Sequence, residues 1–182
     1  MNRYFKEYEW SNIAAMLRNL KSSPEICKDD FENRLVVITG ATSGIGYAAA
    51  KKYASHGAEI LSINRNEQKS IEFCEDIKAQ YGTKCTYWIA DLSSLSEVHA
   101  LGEKLAAMDT NIDVLIHNAG VYNTTKTITA DNLEAVFQTN YLSTFILNHY
   151  LKEKFIKQNS GRILFVNSEG HRFAAWGLHL DD

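Results

Sequence analysis

The residues that most restrict the fold of this chain are Thr39-Gly40-Ala41-Thr42-Ser43-Gly44-Ile45-Gly46, which close the run RLVVIT at 34–39 and continue past it. A short apolar run rich in β-branched residues reads as a buried strand. Glycines that follow a strand and open a helix let a phosphate approach the backbone. There it meets unpaired N–H groups and the positive end of the helix dipole. Glycine spacing alone is weak evidence, and the strand before and helix after give this motif its weight. Gly40, Thr42, Ser43, Gly44, Ile45 and Gly46 are therefore expected at a phosphate-binding turn.

The same alternation continues along the chain. Strand-like runs at 34–39, 58–63, 84–90, 112–117 and 162–167 are separated by helical stretches at 44–56, 67–81, 94–108 and 131–157. Strands alternating with helices predict an α/β fold with a doubly wound parallel sheet, which binds ligands beyond the carboxyl ends of its strands. Ahead of it, Phe5, Tyr8, Ile13, Met16, Leu17 and Leu20 fall at helical spacing until Ser23-Pro24 breaks the pattern. The expected organisation is an N-terminal helical extension over 1–30 and a nucleotide-binding domain over 31–182. At 182 residues, 45% hydrophobic and 23% charged, the chain suffices for one sizeable core. A net charge of -3 without a basic block argues against nucleic acid as a partner. No apolar run approaches the ~18 residues of a membrane span, and no secretory leader is visible at the N-terminus. Cys27, Cys74 and Cys85 lie at no metal-ligand spacing, so reduced thiols, no metal and a cytoplasmic setting are expected.

Thr-Gly-x-x-x-Gly-Ile-Gly resembles the cofactor motif of the short-chain dehydrogenase/reductase family. The spacing 40, 44, 46 differs from both Gly-x-Gly-x-x-Gly and the epimerase-like branch. Such a resemblance implies a Rossmann fold and hydride transfer between a nicotinamide cofactor and an alcohol or carbonyl substrate. Asn64-Arg65 follow the second strand, where an NAD-preferring fold places an acidic residue. A guanidinium there suits a 2′-phosphate, so NADP is expected over NAD. Asp91-Leu92 end the third strand, where similar proteins set the aspartate on the adenine amino group; a helix N-cap is the competing role for Asp91. His117-Asn118-Ala119-Gly120 resembles the family's Asn-Asn-Ala-Gly under the cofactor. Asn140 matches an asparagine that supports a water-linked proton path, and Ser168 matches the serine that hydrogen-bonds the reacting oxygen. Glu169-Gly170-His171-Arg172-Phe173 resembles the retinol-dehydrogenase-like branch, which includes the WW-domain oxidoreductases. The resemblance covers about residues 33–173.

The family's catalytic tyrosine and lysine lie beyond that serine. Here fourteen residues follow Ser168, and none is tyrosine or lysine. Tyr47 and Lys51, Tyr122 and Lys126, and Tyr150 and Lys154 have the Tyr-x-x-x-Lys spacing but precede the serine, and are expected to be coincidental. These features predict a chain truncated before the catalytic pair, with the last strands of the family sheet missing, and inactive alone. The complete protein is expected to be an NADP-dependent oxidoreductase acting on a lipophilic alcohol or carbonyl compound, and to form a homo-oligomer through helix 131–157. The alternative is a non-catalytic nucleotide-binding or dimerisation module.

Overall fold

Side chains of successive strand residues point to opposite faces of a sheet. Val36, Val37 and Ile38 are all fully buried, so this sheet must be covered on both sides. The computed structural model describes Arg18, Ser23 and residues 27–168. It divides into two compact units, one of Asp29–Val166 and one of Met1–Lys28 with Asn167–Asp182. Of the helix expected over 1–22, Arg18 is described as helical and exposed; Phe5, Tyr8, Ile13, Met16, Leu17 and Leu20 lie outside the described residues, as do Glu169–Phe173.

Within Asp29–Val166 the order is β1 (Leu35–Thr39), α1 (Gly44–Ala54), β2 (Glu59–Asn64), α2 (Glu67–Tyr81), β3 (Cys85–Ile89), α3 (Leu95–Ala106), β4 (Val114–His117), α4 (Ala135–Phe137), a π turn (Gln138–Leu142), α5 (Ser143–Gln158) and β5 (Arg162–Phe165). The strands form one parallel sheet in the order β3-β2-β1-β4-β5. Strand order reverses between β1 and β4, as the doubly wound expectation requires. Val37 stands beside Leu61 and Leu115 in register. These three pack with Val98, Leu105, Leu147 and Leu151 of α3 and α5 on one face. Val36, Ile38, Ile60 and Ile116 pack with Ala50, Ala54, Phe73 and Ile77 of α1 and α2 on the other. Removing a fully buried leucine such as Leu147 or Leu151 to alanine would cost about 2–5 kcal/mol.

The single helix expected over 131–157 is not what the chain forms. Asn132 takes a positive φ of 60°, and Ile128 bridges Glu134 in antiparallel fashion. Helix begins only at Ala135, where the Glu134 carboxylate accepts hydrogen bonds from the Val136 and Phe137 amides. It then widens into the π turn before α5. Leu147 and Leu151 bury against the sheet and α3, whereas Phe137, Tyr141 and Phe145 stay half exposed or more. Among the described residues β5 pairs with β4 alone, and Ile163, Leu164 and Phe165 are between 36% and 51% exposed.

Candidate functional site

The site grows from the end of β1. Thr39 is buried, and its hydroxyl accepts hydrogen bonds from the Asn118 and Ala119 amides at 3.0 Å each while donating weakly to the Ile116 carbonyl at 3.4 Å. Asn118 returns the tie, its Nδ2 donating to the carbonyls of Thr39 and Gly40 at 3.1 and 2.9 Å. The ends of β1 and β4 are thereby locked together at the point of strand reversal. Asn64 does the same from β2. Its Oδ1 accepts from the Ala41 amide at 2.9 Å, and its Nδ2 donates to the Ser62 and Ser70 hydroxyls. The Gly40 amide meets the Ile63 carbonyl at 2.8 Å. The turn is thus held from behind by three strands.

The front of the turn is left open. Ser43 is the N-cap of α1, yet its side chain makes no cap hydrogen bond, and the amides of Gly44, Ile45 and Gly46 find no partner among the described residues. Free first-turn amides and a free hydroxyl at a helix N-terminus form an anion site. The glycines divide the work. Gly40 and Gly44 take positive φ of 69° and 59°, which side chains other than glycine rarely adopt. Gly46 serves packing, because a Cβ there would lie 2.3 Å from the Gly40 carbonyl oxygen and 2.4 Å from Asn118 Nδ2.

These elements border a cavity of about 680 Å³ beyond the carboxyl ends of β1 to β4. It gathers most of the residues picked from sequence: Gly40, Thr42, Ser43 and Ile45 from the turn, Asn64 and Arg65 after β2, Asp91 and Leu92 after β3, and Asn118, Ala119 and Gly120 after β4. Gly44 and Gly46 shape the turn without lining the cavity. Ile45 is 68% exposed, so an apolar side chain stands ready at the mouth. Arg65 is exposed and makes no ion pair among the described residues. Lys69 lines the same end and was missed in the sequence. Asn66 caps α2 by accepting from the Lys69 amide at 2.9 Å, which sets Lys69 on the first turn, beside Arg65. That capping asparagine was the available signal.

Asp91 does not cap α3; Ser94 occupies the N-cap. The Asp91 Oδ1 accepts from the amide and hydroxyl of Ser93 at 2.9 and 2.7 Å, a local turn that leaves Oδ2 without a hydrogen bond among the described residues. The α3 terminus is satisfied from a distance, by Asp131 Oδ2 accepting from the Leu95 amide at 2.8 Å. Gln138, fully buried, secures this by donating to the Ser93 carbonyl and to Asp131 and accepting from Thr129.

Asn140 lies in the π turn and does not line the cavity. Its side chain accepts from the Val121 amide at 2.8 Å and donates to the Val121 carbonyl at 2.9 Å, fixing the segment that follows Gly120. Ser168 belongs to the other compact unit. His117 is buried, bonds Asn148 Oδ1 at 3.0 Å and stacks on Phe165; burial pushes its pKa down, with the Asn148 bond opposing. None of the three Tyr-x-x-x-Lys pairs lines the cavity. The Tyr47 hydroxyl donates to Asp76 of α2 at 2.6 Å and takes a contact from Lys51, Tyr122 is 88% exposed, and Tyr150 bonds His99. Among the described residues no His/Cys/Asp/Glu cluster could hold a metal, and no helix is long and apolar enough to cross a membrane.

The family model for short chain dehydrogenase matches residues 34–177. The chain belongs to the short-chain dehydrogenase family. Among relatives of this short-chain dehydrogenase, the WW domain-containing oxidoreductase of Drosophila melanogaster is 38% identical over 148 residues, covering 80% of this chain and 36% of that protein. The human protein of the same name is 34% identical over 145 residues, covering 79% and 35%. The chain therefore spans about a third of the length of these relatives. A solved short-chain dehydrogenase from Sphingobium yanoikuyae, in complex with NADPH, superposes with a TM-score of 0.67 at 26% identity, covering 74% of this chain and 53% of that one.

Proposed function

We propose that this chain is the cofactor-binding portion of an NADP-dependent oxidoreductase that transfers hydride between nicotinamide and an alcohol or carbonyl compound. The observation that carries the reading is the convergence on one cavity of the open helix start at Ser43 and Ile45 and of two cations, Arg65 and Lys69, that form no ion pair among the described residues. The amides and the Ser43 hydroxyl would hold the pyrophosphate. Arg65 and Lys69 would meet a 2′-phosphate, the guanidinium as a fork and the ammonium as a point charge. The Asp91 Oδ2 would accept from the adenine amino group, with Leu92 packing beside it. Asn118, Ala119 and Gly120 would floor the nicotinamide half, and Ile45 would cover it from the mouth. The bound cofactor would supply the hydride chemistry. The NADPH in the Sphingobium yanoikuyae relative supports the choice of cofactor. Ser168 is assigned to hydrogen-bond the reacting oxygen and Asn140 to support a water-linked proton path. The reading includes a cytoplasmic setting, a lipophilic substrate and a homo-oligomer through the outward face of Phe137, Tyr141 and Phe145; sedimentation at micromolar concentration that gives only monomer would reject the last.

Calorimetric titration of the purified chain with NADPH and NADH tests the proposal. A charge-assisted contact to phosphate contributes about 1.5–3 kcal/mol, so NADPH should bind at least tenfold more tightly. Arg65→Ala should erase most of that margin while changing NADH affinity less than twofold. Equal or stronger binding of NADH would reject the NADP assignment, and binding of neither would reject the site.

A further inference from the structure

Away from the cavity, two thiols sit against each other. Cys74 lies on α2 and Cys85 opens β3. The left-handed C-cap at Gly82, φ 68°, turns the chain back so that residues eleven apart meet, with Cys85 Sγ 3.1 Å from Cys74 Sγ. Both are free thiols and both are partly exposed. Among the described residues β3 is an edge strand, bonded to β2 alone, so a small reagent can reach the partly exposed pair from the sheet edge. A disulfide has a sulfur–sulfur bond of about 2.05 Å, so closure needs an approach of about 1 Å.

We infer that Cys74 and Cys85 form a thiol–disulfide exchange site, whose reaction partner is a low-molecular-weight disulfide and whose product is a reversible bridge between α2 and β3. The pair is asymmetric. Cys85 donates its S–H to Cys74, which lowers the Cys74 pKa against the opposing effect of burial. The same contact, with burial, pushes the Cys85 thiol up. Attack requires thiolate, so Cys74 is the attacking sulfur and Cys85 the resolving one. In the first step Cys74 thiolate attacks one sulfur of the small disulfide, whose S–S bond breaks and releases one thiolate. In the second, Cys85 gives up its proton to that thiolate and attacks the Cys74 sulfur of the mixed disulfide, expelling the second thiolate, which takes up the proton lost by Cys74. Two electrons leave the protein, and one small disulfide becomes two small thiols.

The test uses the full 182-residue chain and oxidised glutathione. In the wild-type protein, peptide mapping should find the Cys74 peptide joined to the Cys85 peptide, with a glutathione adduct confined to the exposed Cys27. With Cys27→Ser, both remaining thiols should disappear with a mass loss of two hydrogens and no adduct, and excess dithiol should restore them. Adding C85S should trap a single glutathione on Cys74, whereas adding C74S should slow reaction at least tenfold. Persistence of both thiols, or a stable adduct on each cysteine of the wild-type protein, would overturn the inference. The wild-type mapping decides the matter even if a variant fails to fold.

Discussion

One methyl group tests how the glycine turn is built. A Cβ at Gly46 would sit 2.3 Å from the Gly40 carbonyl oxygen and 2.4 Å from Asn118 Nδ2, where ordinary contact begins near 3.4 Å. Neither neighbour can yield freely. They are hydrogen-bonded to each other at 2.9 Å, and Gly40 is held by Ile63 while Asn118 is held by Thr39. Gly46→Ala must therefore push the start of α1 off the strand ends by about 1 Å, at an overpacking cost of about 1–3 kcal/mol. Breaking the Asn118–Gly40 bond adds about 1–3 kcal/mol. Alanine gains about 1 kcal/mol over glycine in a helix, leaving a net loss of roughly 3 kcal/mol. Gly44→Ala is the control. A Cβ there meets nothing within 4 Å, so its cost is the left-handed backbone alone, about 1–2 kcal/mol. Urea unfolding followed by circular dichroism, with midpoints compared at unchanged slope, should rank wild type above G44A and G44A above G46A. A G46A protein as stable as wild type, or more stable, would refute the packing argument.

Three further outcomes follow from the same geometry. Thr39→Val keeps the shape of the side chain but strands the Asn118 and Ala119 amides, and should lower stability by about 2–4 kcal/mol in the same unfolding assay; a loss under 0.5 kcal/mol would count against the clasp. Gln138→Leu removes the buried amide that joins Ser93, Asp131 and Thr129, and should cost about 2–4 kcal/mol while increasing amide hydrogen exchange at the start of α3. His117 is held with a lowered pKa, so the unfolded chain binds its proton more readily than the folded one. Wild-type stability should then fall as pH drops below about 6.5, and the stability difference from His117→Asn should shift with pH over that window; parallel curves between pH 7.5 and 5 would show that His117 does not contribute.

Much of this was readable from the chain because the periodicities are strong. Within the runs 34–39 and 112–117, Leu35–Thr39 and Val114–His117 are buried on both faces, a pattern that a sheet sandwiched between helices satisfies. The turn was equally legible as a turn, since a strand, three glycines and a helix follow one another there and Gly40 and Gly44 take positive φ. What escaped depends on groups distant in sequence. Thr39 reads as the end of a strand, and only the return of β4 shows its hydroxyl holding two amides. Asn64 reads as a ligand contact, and only the fold shows that this cavity-lining residue also bonds Ala41, Ser62 and Ser70 through its amide. The segment 131–134 scans as helix because its composition allows one, but a left-handed Asn132 and the reach of Asp131 to α3 hold it open. The contact between Cys74 and Cys85 follows from the tight return at Gly82, which spacing alone does not encode.

The clasp between β1 and β4 also sets an order of assembly in time. Leu35 bonds Asp113, and Thr39 bonds Asn118 and Ala119, across loops of 78 to 80 residues. Local pairings form quickly and long loops close late, so β1, β2 and β3 can pair while the other edge of β1 is still bare. During synthesis that edge, flanked by Val36, Val37 and Ile38, stays open until residues near 118 leave the ribosome. The crevice that defines the mature site therefore closes after the pairings among β1, β2 and β3, and that edge of the nascent chain stays open to mispairing until it does.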